Sequence, residues 1–229
     1  MVAGEVSAQS WREDGGRSLL RSLPVLRGTP PGFDPDRAPG DPVDLFAEWL
    51  SAAVAAGVPE PHAMTLSTIG PDGGPSSRML IVKAVDAAGW HFAVNARSPK
   101  GGDLAADPRA ALTFYWPALV RQIRVVGTAV DEGAAAGAAD FLARPTGSRE
   151  MALTLRQSEP LVDPTEIDTA LAESRRRMAA DDELVPVEWV SYALAPDSVE
   201  FWEGDPQRRH TRLRYRRGDD GWTRERLWP

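Results

Sequence analysis

The C-terminal segment 207–217 carries six arginines, although the protein as a whole has a formal net charge of −7. If this segment is an extended strand, alternate side chains lie on one face. That face would hold Arg208, His210, Arg212, Arg214 and Arg216. Guanidinium groups match the oxygens of phosphates and carboxylates, and an imidazole can exchange a proton near neutral pH. The pattern indicates an anion-binding site. A charged edge strand that resists aggregation is the alternative interpretation.

Two further segments combine cations with groups that bind anions. Arg78 and Lys83 flank a short apolar strand. Strict alternation points them to opposite faces, so only a bulge or a site between two subunits brings both to one ligand. Ser98 and Lys100 lie at a predicted helix start, where free backbone N–H groups can bind phosphate. The plainer interpretation is surface charge beside a core strand and an ordinary helix cap.

Lysine and asparagine are rare in this arginine-rich chain. Lys83 and Lys100 are its only lysines, and Asn95 is its only asparagine. Because an ammonium and a guanidinium are not interchangeable, we expect a retained lysine to mark a position where the chemistry requires it.

Composition excludes several classes of function. The chain has no cysteine, which rules out disulfides, thiolate metal sites and cysteine nucleophiles. Its three histidines are far apart in sequence, so we expect no metal site. The acidic balance argues against nucleic acid, and no apolar run reaches the roughly 18–20 residues of a membrane span. Phosphate-loop, dinucleotide, zinc-protease and nucleophile-elbow motifs are absent. We expect a soluble, cytoplasmic protein that binds small molecules.

The elements that must position these residues follow from periodicity and turn signals. Residues 1–40, rich in Gly, Pro, Arg and Asp, are expected to form a flexible N-terminal arm, and 41–229 one domain. A helix is predicted from Asp41–Pro42 to about Gly57. Further helices are predicted at 98–106, 133–143 and 164–180. Strands are predicted at 62–69, 77–85, 90–95, 110–116, 122–131, 188–194, 199–202, 211–216 and 222–227. This order favours an antiparallel barrel with packed helices.

From about residue 41 to the C-terminus, the order of these segments resembles the pyridoxamine 5′-phosphate oxidase family of FMN-dependent flavoproteins. The matching pieces are 78–83, 92–95 with Ser98 and Lys100, 114–116, 121–127, Arg144–Pro145 with Ser148, 156–158, 200–204, Arg208 with His210 and Arg212, and 226–229. Both lysines and the single asparagine fall inside these pieces.

The resemblance implies a mainly β fold with flanking helices: a split β-barrel, antiparallel and Greek-key-like, that forms a homodimer with FMN at the interface. It implies an oxidase that transfers a hydride from a small nitrogen heterocycle to the flavin, and then to O2, giving H2O2. The expected reaction is the oxidation of pyridoxine or pyridoxamine 5′-phosphate to pyridoxal 5′-phosphate.

The resemblance also implies roles for individual residues. The expected FMN contacts are Arg78, Met79, Leu80, Ile81, Val82, Lys83, Ala93, Val94, Lys100, Gln122, Gln157, Ser158, Trp202 and Arg212. Among them, Arg78 and Lys100 are expected at the FMN phosphate. The expected substrate contacts are Lys83, Arg144, Ser148, Arg208 and His210, with Asp140 at a further substrate position. Arg208 and His210 are the catalytic candidates, over the ring near the reacting carbon.

Three positions depart from the family pattern. Asp140 stands where the family usually has a tyrosine that helps bind the substrate phosphate. Pro99 replaces a basic residue, and Arg209 replaces an apolar residue and could compensate for Asp140. Other pieces, such as Glu60–Pro61 and 212–215, are similar to the phenazine-biosynthesis branch of the family. Oxidation of a reduced secondary metabolite is therefore an alternative function, and a split-barrel module that binds a cofactor without turnover is another.

Overall fold

A computed structural model describes residues 15–229 of the protein. The strands in this range are β1 Ala63–Ile69, β2 Pro75–Ile81, β3 Ala84–Asp86, β4 Gly89–Asn95, β5 Arg109–Trp116, β6 Arg121–Asp131, β7 Trp189–Glu203, β8 Thr211–Gly218 and β9 Gly221–Arg226. The helices are α1 Arg17–Ser22, a 3₁₀ turn at Pro35–Arg37, α2 Pro42–Ala55, α3 Pro99–Ala106, α4 Ala134–Leu142, α5 Thr146–Ala152 and α6 Glu166–Ala180.

The described strands form one antiparallel sheet in the order β2-β1-β5-β6-β7-β4-β3, with β8 on β7 and β9 on β8. Strand β7 holds this sheet together. Its first half pairs with β4, its second half pairs with β8, and β6 runs along nearly its whole length. The result is a split β-barrel with flanking helices, which confirms the predicted fold class.

A bulge makes β7 one strand of 15 residues where the sequence predicted two strands. The register against β6 shifts between Val126 and Gly127, which leaves Asp197 as an extra residue in β7. Leu194 and Val199 are both fully buried although they are five positions apart. Strict alternation would put them on opposite faces, and the extra residue returns both to the core.

The predicted strand 77–85 is in fact two strands, β2 and β3. Its backbone leaves the β1 pairing after Ile81. The Val82 N–H donates to His62 O over 3.0 Å, and the Lys83 N–H donates to His91 O over 2.8 Å. This change of partner strand breaks the alternation that separated Arg78 from Lys83.

Helix α2 closes the core on one side. The Asp41 carboxylate accepts from the Val43 N–H over 2.8 Å, and Pro42 occupies the first turn, as predicted. Its buried face carries Phe46, whose ring centroid lies 5.5 Å from that of Trp90. Burying such a side chain contributes roughly 1.5–3 kcal/mol, so this face anchors the helix.

Part of the predicted arm lies against the barrel. The Thr29 N–H donates to Ala118 O over 2.9 Å, and the Tyr215 hydroxyl donates to Pro39 O over 2.7 Å. Helix α1, by contrast, buries none of its residues. Residues 1–14 fall outside the described range, and the flexibility of the arm stays a prediction. None of the helices in residues 15–229 has the length and apolar character that a bilayer crossing requires.

Candidate functional site

A cavity of about 1010 Å³ lies between β2, β4 and the helices α3, α5 and α6. This volume is at the upper end of roughly 300–1,000 Å³ that is usual for ligand pockets. Two groups of residues lie on its wall or directly behind it. We call Arg78, Lys100, Asp103 and Gln157 the Arg78 cluster. We call Lys83, Asp140, Arg144, Ser148 and Trp189 the Arg144 cluster.

Arg78 is held in place by a network behind the cavity wall. Its guanidinium donates to Thr68 Oγ1 over 2.6 Å and to Ser76 Oγ over 2.7 Å. Asp103 Oδ2 lies 3.4 Å from Arg78 Nη2 and also accepts from the Thr68 hydroxyl over 2.7 Å. Charge-assisted bonds of this kind fix the direction of the guanidinium before any ligand arrives.

Lys100 brings a second, buried cation beside Arg78. Its Nζ donates to Gln157 Oε1 over 2.7 Å and to Ser98 Oγ over 3.1 Å. Burial, and then the neighbouring charge of Arg78, lower the pKa of Lys100. A buried ammonium that faces a second cation is stabilised by an anion between them. The start of α3, capped by Ser98, lies at the same place. The cluster therefore suits a phosphate group.

Arg144 is a half-buried cation that stacks on an aromatic ring. Its guanidinium carbon lies 4.3 Å from the ring centroid of Trp189. Burial lowers the pKa of Arg144, against the opposing charge of Asp140. Within residues 15–229 its buried Nε has no hydrogen-bond partner. Arg144 also lines the cavity, so its guanidinium charge is available to an anionic ligand.

Asp140 faces the other members of the Arg144 cluster. Its Oδ1 lies 3.6 Å from Lys83 Nζ, and its Oδ2 accepts from Trp189 Nε1 over 2.8 Å. Lys83 itself lines the cavity. The carboxylate therefore partly neutralises a cation that was predicted to contact substrate.

The cavity brings together most of the residues that the sequence predicted for cofactor and substrate. Those on its wall are Arg78, Met79, Leu80, Ile81, Lys83, Ala93, Val94, Lys100, Arg144, Ser148, Gln157 and Ser158. Val82, between two of them, has its side chain in the hydrophobic core instead.

Five predicted residues lie elsewhere in the chain. Gln122, Trp202 and Arg212 are neighbours in register across β6, β7 and β8. The ring of His210 lies 4.9 Å from that of Trp202, and Arg208 is in the turn before β8. We call this group the Trp202 face. Arg212 is oriented by Glu200, which accepts from its Nε over 2.8 Å.

The expectation that Arg208 to Arg216 share one strand face is wrong in its first part. Arg208 has φ +67°, and its N–H donates to Asp205 O over 2.8 Å, so the chain turns there. Strand β8 begins only at Thr211. Arg214 and Arg216 do lie on one face, where both pair with Glu225.

Sequence reasoning missed the residues that orient the cations. Trp189 holds both Arg144 and Asp140, and Thr68 and Asp103 hold Arg78. Only Asp103 gave a usable signal, since it lies three residues after Lys100 on a predicted helix and so on the same side of it. Thr68 and Trp189 reach their partners only through strand pairing.

Comparison with known proteins gives two family matches and many relatives. Residues 50–176 match the family model described as pyridoxamine 5′-phosphate oxidase. Residues 189–229 match the model described as pyridoxine 5′-phosphate oxidase C-terminal dimerisation region. A pyridoxine/pyridoxamine 5′-phosphate oxidase of Pseudomonas paraeruginosa is 44% identical over 92% of this chain and 100% of its own length. That of Thermosynechococcus vestitus is 44% identical over 82% and 89%.

Solved structures agree with the fold. PhzG from Burkholderia lata, in complex with tetrahydrophenazine-1-carboxylic acid, is 32% identical, with a TM-score of 0.81 over 88% of this chain and 100% of that chain. An FMN-binding protein of Nostoc punctiforme shares the fold, with a TM-score of 0.66 and 20% identity over 86% and 100%.

The barrel and its doubly cationic cavity define the class of split-barrel flavoproteins. Within that class, the chain belongs to the pyridoxamine 5′-phosphate oxidase family of FMN-dependent oxidoreductases. The match to the dimerisation region covers the Trp202 face except for Gln122.

Proposed function

We propose that this protein oxidises pyridoxine or pyridoxamine 5′-phosphate to pyridoxal 5′-phosphate with FMN and O2, releasing H2O2. With the amine substrate, water hydrolyses the resulting imine and ammonia leaves. The observation that carries this proposal is one cavity with two separate cation clusters. The reaction needs two phosphorylated ligands at once, and each cluster offers guanidinium and ammonium groups to one of them. When bound, FMN supplies the hydride acceptor and the route to O2.

The Arg78 cluster is the part that fits the cofactor phosphate. Arg78 is already oriented, and Lys100 is buried beside it with a lowered pKa, so an anion relieves the repulsion between the two cations. Gln157 and the backbone of Met79 to Ile81 line the same wall and would contact the rest of the cofactor.

The Arg144 cluster is the part that fits the substrate phosphate. Arg144, Ser148 and Lys83 line the same wall, and the Arg144 guanidinium stacks on Trp189. Holding the phosphate there would orient the substrate ring in the cavity and so fix which carbon loses the hydride.

We further propose that the Trp202 face completes the cavity of a second copy of the chain. Gln122, Trp202, Arg208, His210 and Arg212 lie outside the cavity of their own chain, and four of them belong to the matched dimerisation region. A symmetric dimer would bring each face to the partner's cavity. This arrangement would give every site residues from both chains.

His210 would act as a hydrogen-bond donor in that shared site. Its Nδ1 accepts from the Asp205 N–H over 3.0 Å. A neutral imidazole that accepts at Nδ1 carries its proton at Nε2, the atom left to face a ligand. Replacing His210 by Ala should slow flavin reduction while FMN stays bound. An unchanged rate of reduction would remove His210 from the mechanism.

The main test is an anaerobic titration of the FMN-loaded protein. Pyridoxine 5′-phosphate should bleach the flavin absorbance, and pyridoxal 5′-phosphate should form. A flavin that stays oxidised would contradict the proposed substrate, and failure to load FMN would contradict the cofactor assignment.

A mixing experiment tests the shared site. At substrate concentrations well below the wild-type KM, and at limiting FMN, Arg144→Ala and Arg212→Ala homodimers should each lose most of their activity. After the two are dissociated and mixed, half of the dimers are mixed, and each of these has one intact site. About a quarter of the wild-type activity should therefore return. No recovery in a preparation that contains mixed dimers would show that both residues serve a site within one chain.

A second candidate is the oxidation of a reduced tricyclic intermediate of secondary metabolism. The Asp140 carboxylate in the Arg144 cluster favours it, because that charge opposes a phosphate. The likeness to PhzG is consistent with it. Under this function, pyridoxine 5′-phosphate leaves the flavin oxidised, and a dihydrophenazine- or tetrahydrophenazine-type carboxylic acid bleaches it.

A further inference from the structure

The Asp140 side chain is directed at two residues of the cavity wall. It lies 3.6 Å from Lys83 Nζ and accepts from Trp189 Nε1 over 2.8 Å, and only 15% of it is exposed. Lys83 and Trp189 both line the cavity. A negative charge therefore stands directly behind the cations that would anchor a substrate.

The packing of α4 on β7 fixes this charge in place. Gly137 lies one turn before Asp140, and a Cβ at Gly137 would lie 2.5 Å from the Trp189 carbonyl oxygen. Only glycine allows the helix to approach the strand so closely at this point. Together with the indole hydrogen bond, this contact leaves the carboxylate little freedom to turn away when a ligand enters.

The formal charge of the Arg144 cluster is then low for a phosphate dianion. Lys83 and Arg144 each carry a positive charge, and Asp140 cancels one of them. A phosphate monoester carries about −1.5 to −2 near pH 7, whereas a carboxylate carries −1. Coulomb repulsion from Asp140 is proportional to the ligand charge, so it opposes a doubly charged group about twice as strongly.

We infer that Asp140 is a specificity-determining residue that shifts the Arg144 cluster toward substrates anchored by a singly charged group. The substrate class it favours is a flat nitrogen heterocycle that carries a carboxylate or a singly protonated phosphate. This inference rests on the proposed function, because it takes the Arg144 cluster as the anchor of the substrate.

The experiment measures binding of two ligands to the FMN-loaded protein at about pH 8 by calorimetry. The first is 4-deoxypyridoxine 5′-phosphate, a dianion that lacks the hydroxyl to be oxidised. The second is phenazine-1-carboxylate, a monoanion that is already oxidised. Asp140→Asn keeps an acceptor for the indole and removes the charge. It should tighten phosphate binding about tenfold and carboxylate binding about threefold, because the logarithm of the effect scales with ligand charge.

Asp219→Asn, in the turn between β8 and β9, is the matched control, since it makes the same change of charge on an exposed residue. It should alter both affinities less than about twofold. Asp140→Ser removes the charge with a different side chain and should preserve the same ratio of effects, which covers a failure of the first variant to fold.

Equal changes for the two ligands, or no change, would overturn the inference. Weaker binding of both would mean that Asp140 acts by positioning Trp189 and not by its charge. Failure of the proposed function shows separately, as a wild-type flavin that pyridoxine 5′-phosphate does not reduce. The ratio of the dissociation constants of Asp140→Asn and wild type does not depend on whether pyridoxine 5′-phosphate reduces the flavin.

Discussion

The Arg78 and Arg144 clusters have the same formal charge but are built differently. Each contains two cations and one carboxylate. Asp103 lies 3.4 Å from Arg78 and is shared with the Thr68 hydroxyl, whereas Asp140 lies 3.6 Å from Lys83 and is shared with the Trp189 indole. The Arg78 cluster also has the start of α3, which adds a partial charge of about +0.5. The two clusters therefore contain the same number of charged residues, but the electrostatic potential at the ligand is more positive in the Arg78 cluster.

The two clusters also differ in how firmly the arginine is held before a ligand binds, and Arg78 is again the more strongly held. Arg78 is held by Thr68, Ser76 and Asp103 before any ligand binds, which suits a cofactor that stays in place. Arg144 stacks on an indole, and within residues 15–229 its Nε has no hydrogen-bond partner, which suits a ligand that must leave after each turnover. We therefore propose that the Arg78 cluster retains the cofactor and that the Arg144 cluster exchanges substrate.

The largest effect is expected from Arg78→Ala. It removes a charge-assisted contact and leaves Asp103 buried without its cation, which together should weaken FMN binding by about 100-fold. Fluorescence titration of the apoprotein with FMN measures this. Arg109→Ala, which breaks an exposed pair with Asp107, is the control and should leave FMN affinity unchanged. Full flavin retention by Arg78→Ala would reverse the assignment of the clusters.

Arg144→Ala should separate substrate binding from cofactor binding. We expect KM for pyridoxine 5′-phosphate to rise about 10- to 100-fold, because a charged hydrogen bond to the phosphate is lost. FMN affinity should change less than about twofold. Arg144→Lys should recover little, since an ammonium lacks the planar stacking on Trp189. Loss of FMN from either variant would show that the two clusters do not work separately.

Trp189→Phe tests what the indole contributes to the Arg144 cluster. It keeps an aromatic ring under Arg144 but removes the donor that holds Asp140. KM should change by about threefold, consistent with roughly 0.5–1 kcal/mol for a cation–π contact that the smaller ring weakens. Trp222→Phe, which alters an aromatic residue in β9, is the comparison variant. A change as large as that of Arg144→Ala would mean that Trp189 itself contacts the substrate.

The smallest effect is expected on the free energy of unfolding. It comes from a third charged group, formed by His91, Asp86 and Glu132. Burial by itself would lower the pKa of His91, but its hydrogen bonds to Asp86 and Glu132 outweigh burial and raise it. Stability from a raised histidine pKa is full below its unfolded value of 6.5 and is lost as pH rises through the folded value. The pKa of Asp86 is lowered, chiefly by His91, so its contribution fails only in stronger acid.

His91→Gln should therefore destabilise the protein more at about pH 5.5 than at about pH 9, by roughly 1 kcal/mol. Urea unfolding at the two pH values measures the difference, with His62→Gln as the exposed control. A loss of stability that is the same at both values would show that His91 contributes by packing alone.

Much of the fold followed from local signals. The Asp41–Pro42 start of α2 and the Ser98 cap of α3 were predictable because capping chemistry is local. The continuity of β7 was not, because the bulge at Asp197 depends on a partner strand far away in sequence. The break after Ile81 was missed for the same reason, although it explains how Arg78 and Lys83 reach one cavity.

Residues of the candidate site were predictable where their type is rare in the chain, or where they belong to motifs that follow one another in a fixed order. Lys83 and Lys100 stood out in an arginine-rich chain, and both line the cavity. The supporting partners Thr68 and Trp189 could not be found, because side chains that meet across strands leave no periodic signal. The roles of Arg208 and His210 stay predictions, and His210→Ala tests the second of them.

The extra residue in β7 limits how relatives of this chain can vary in length. Asp197 is exposed, so many side chains can replace it. The position itself cannot be deleted in the same way, because the extra residue sets the register of the strand that follows. Deleting it would invert the strand beyond that point, turning Val199 and Phe201 toward solvent and Trp202 toward the interior. The core and the Trp202 face would be lost together. At this position, a substitution should cost little stability, whereas deleting the residue would disrupt both the core and the Trp202 face.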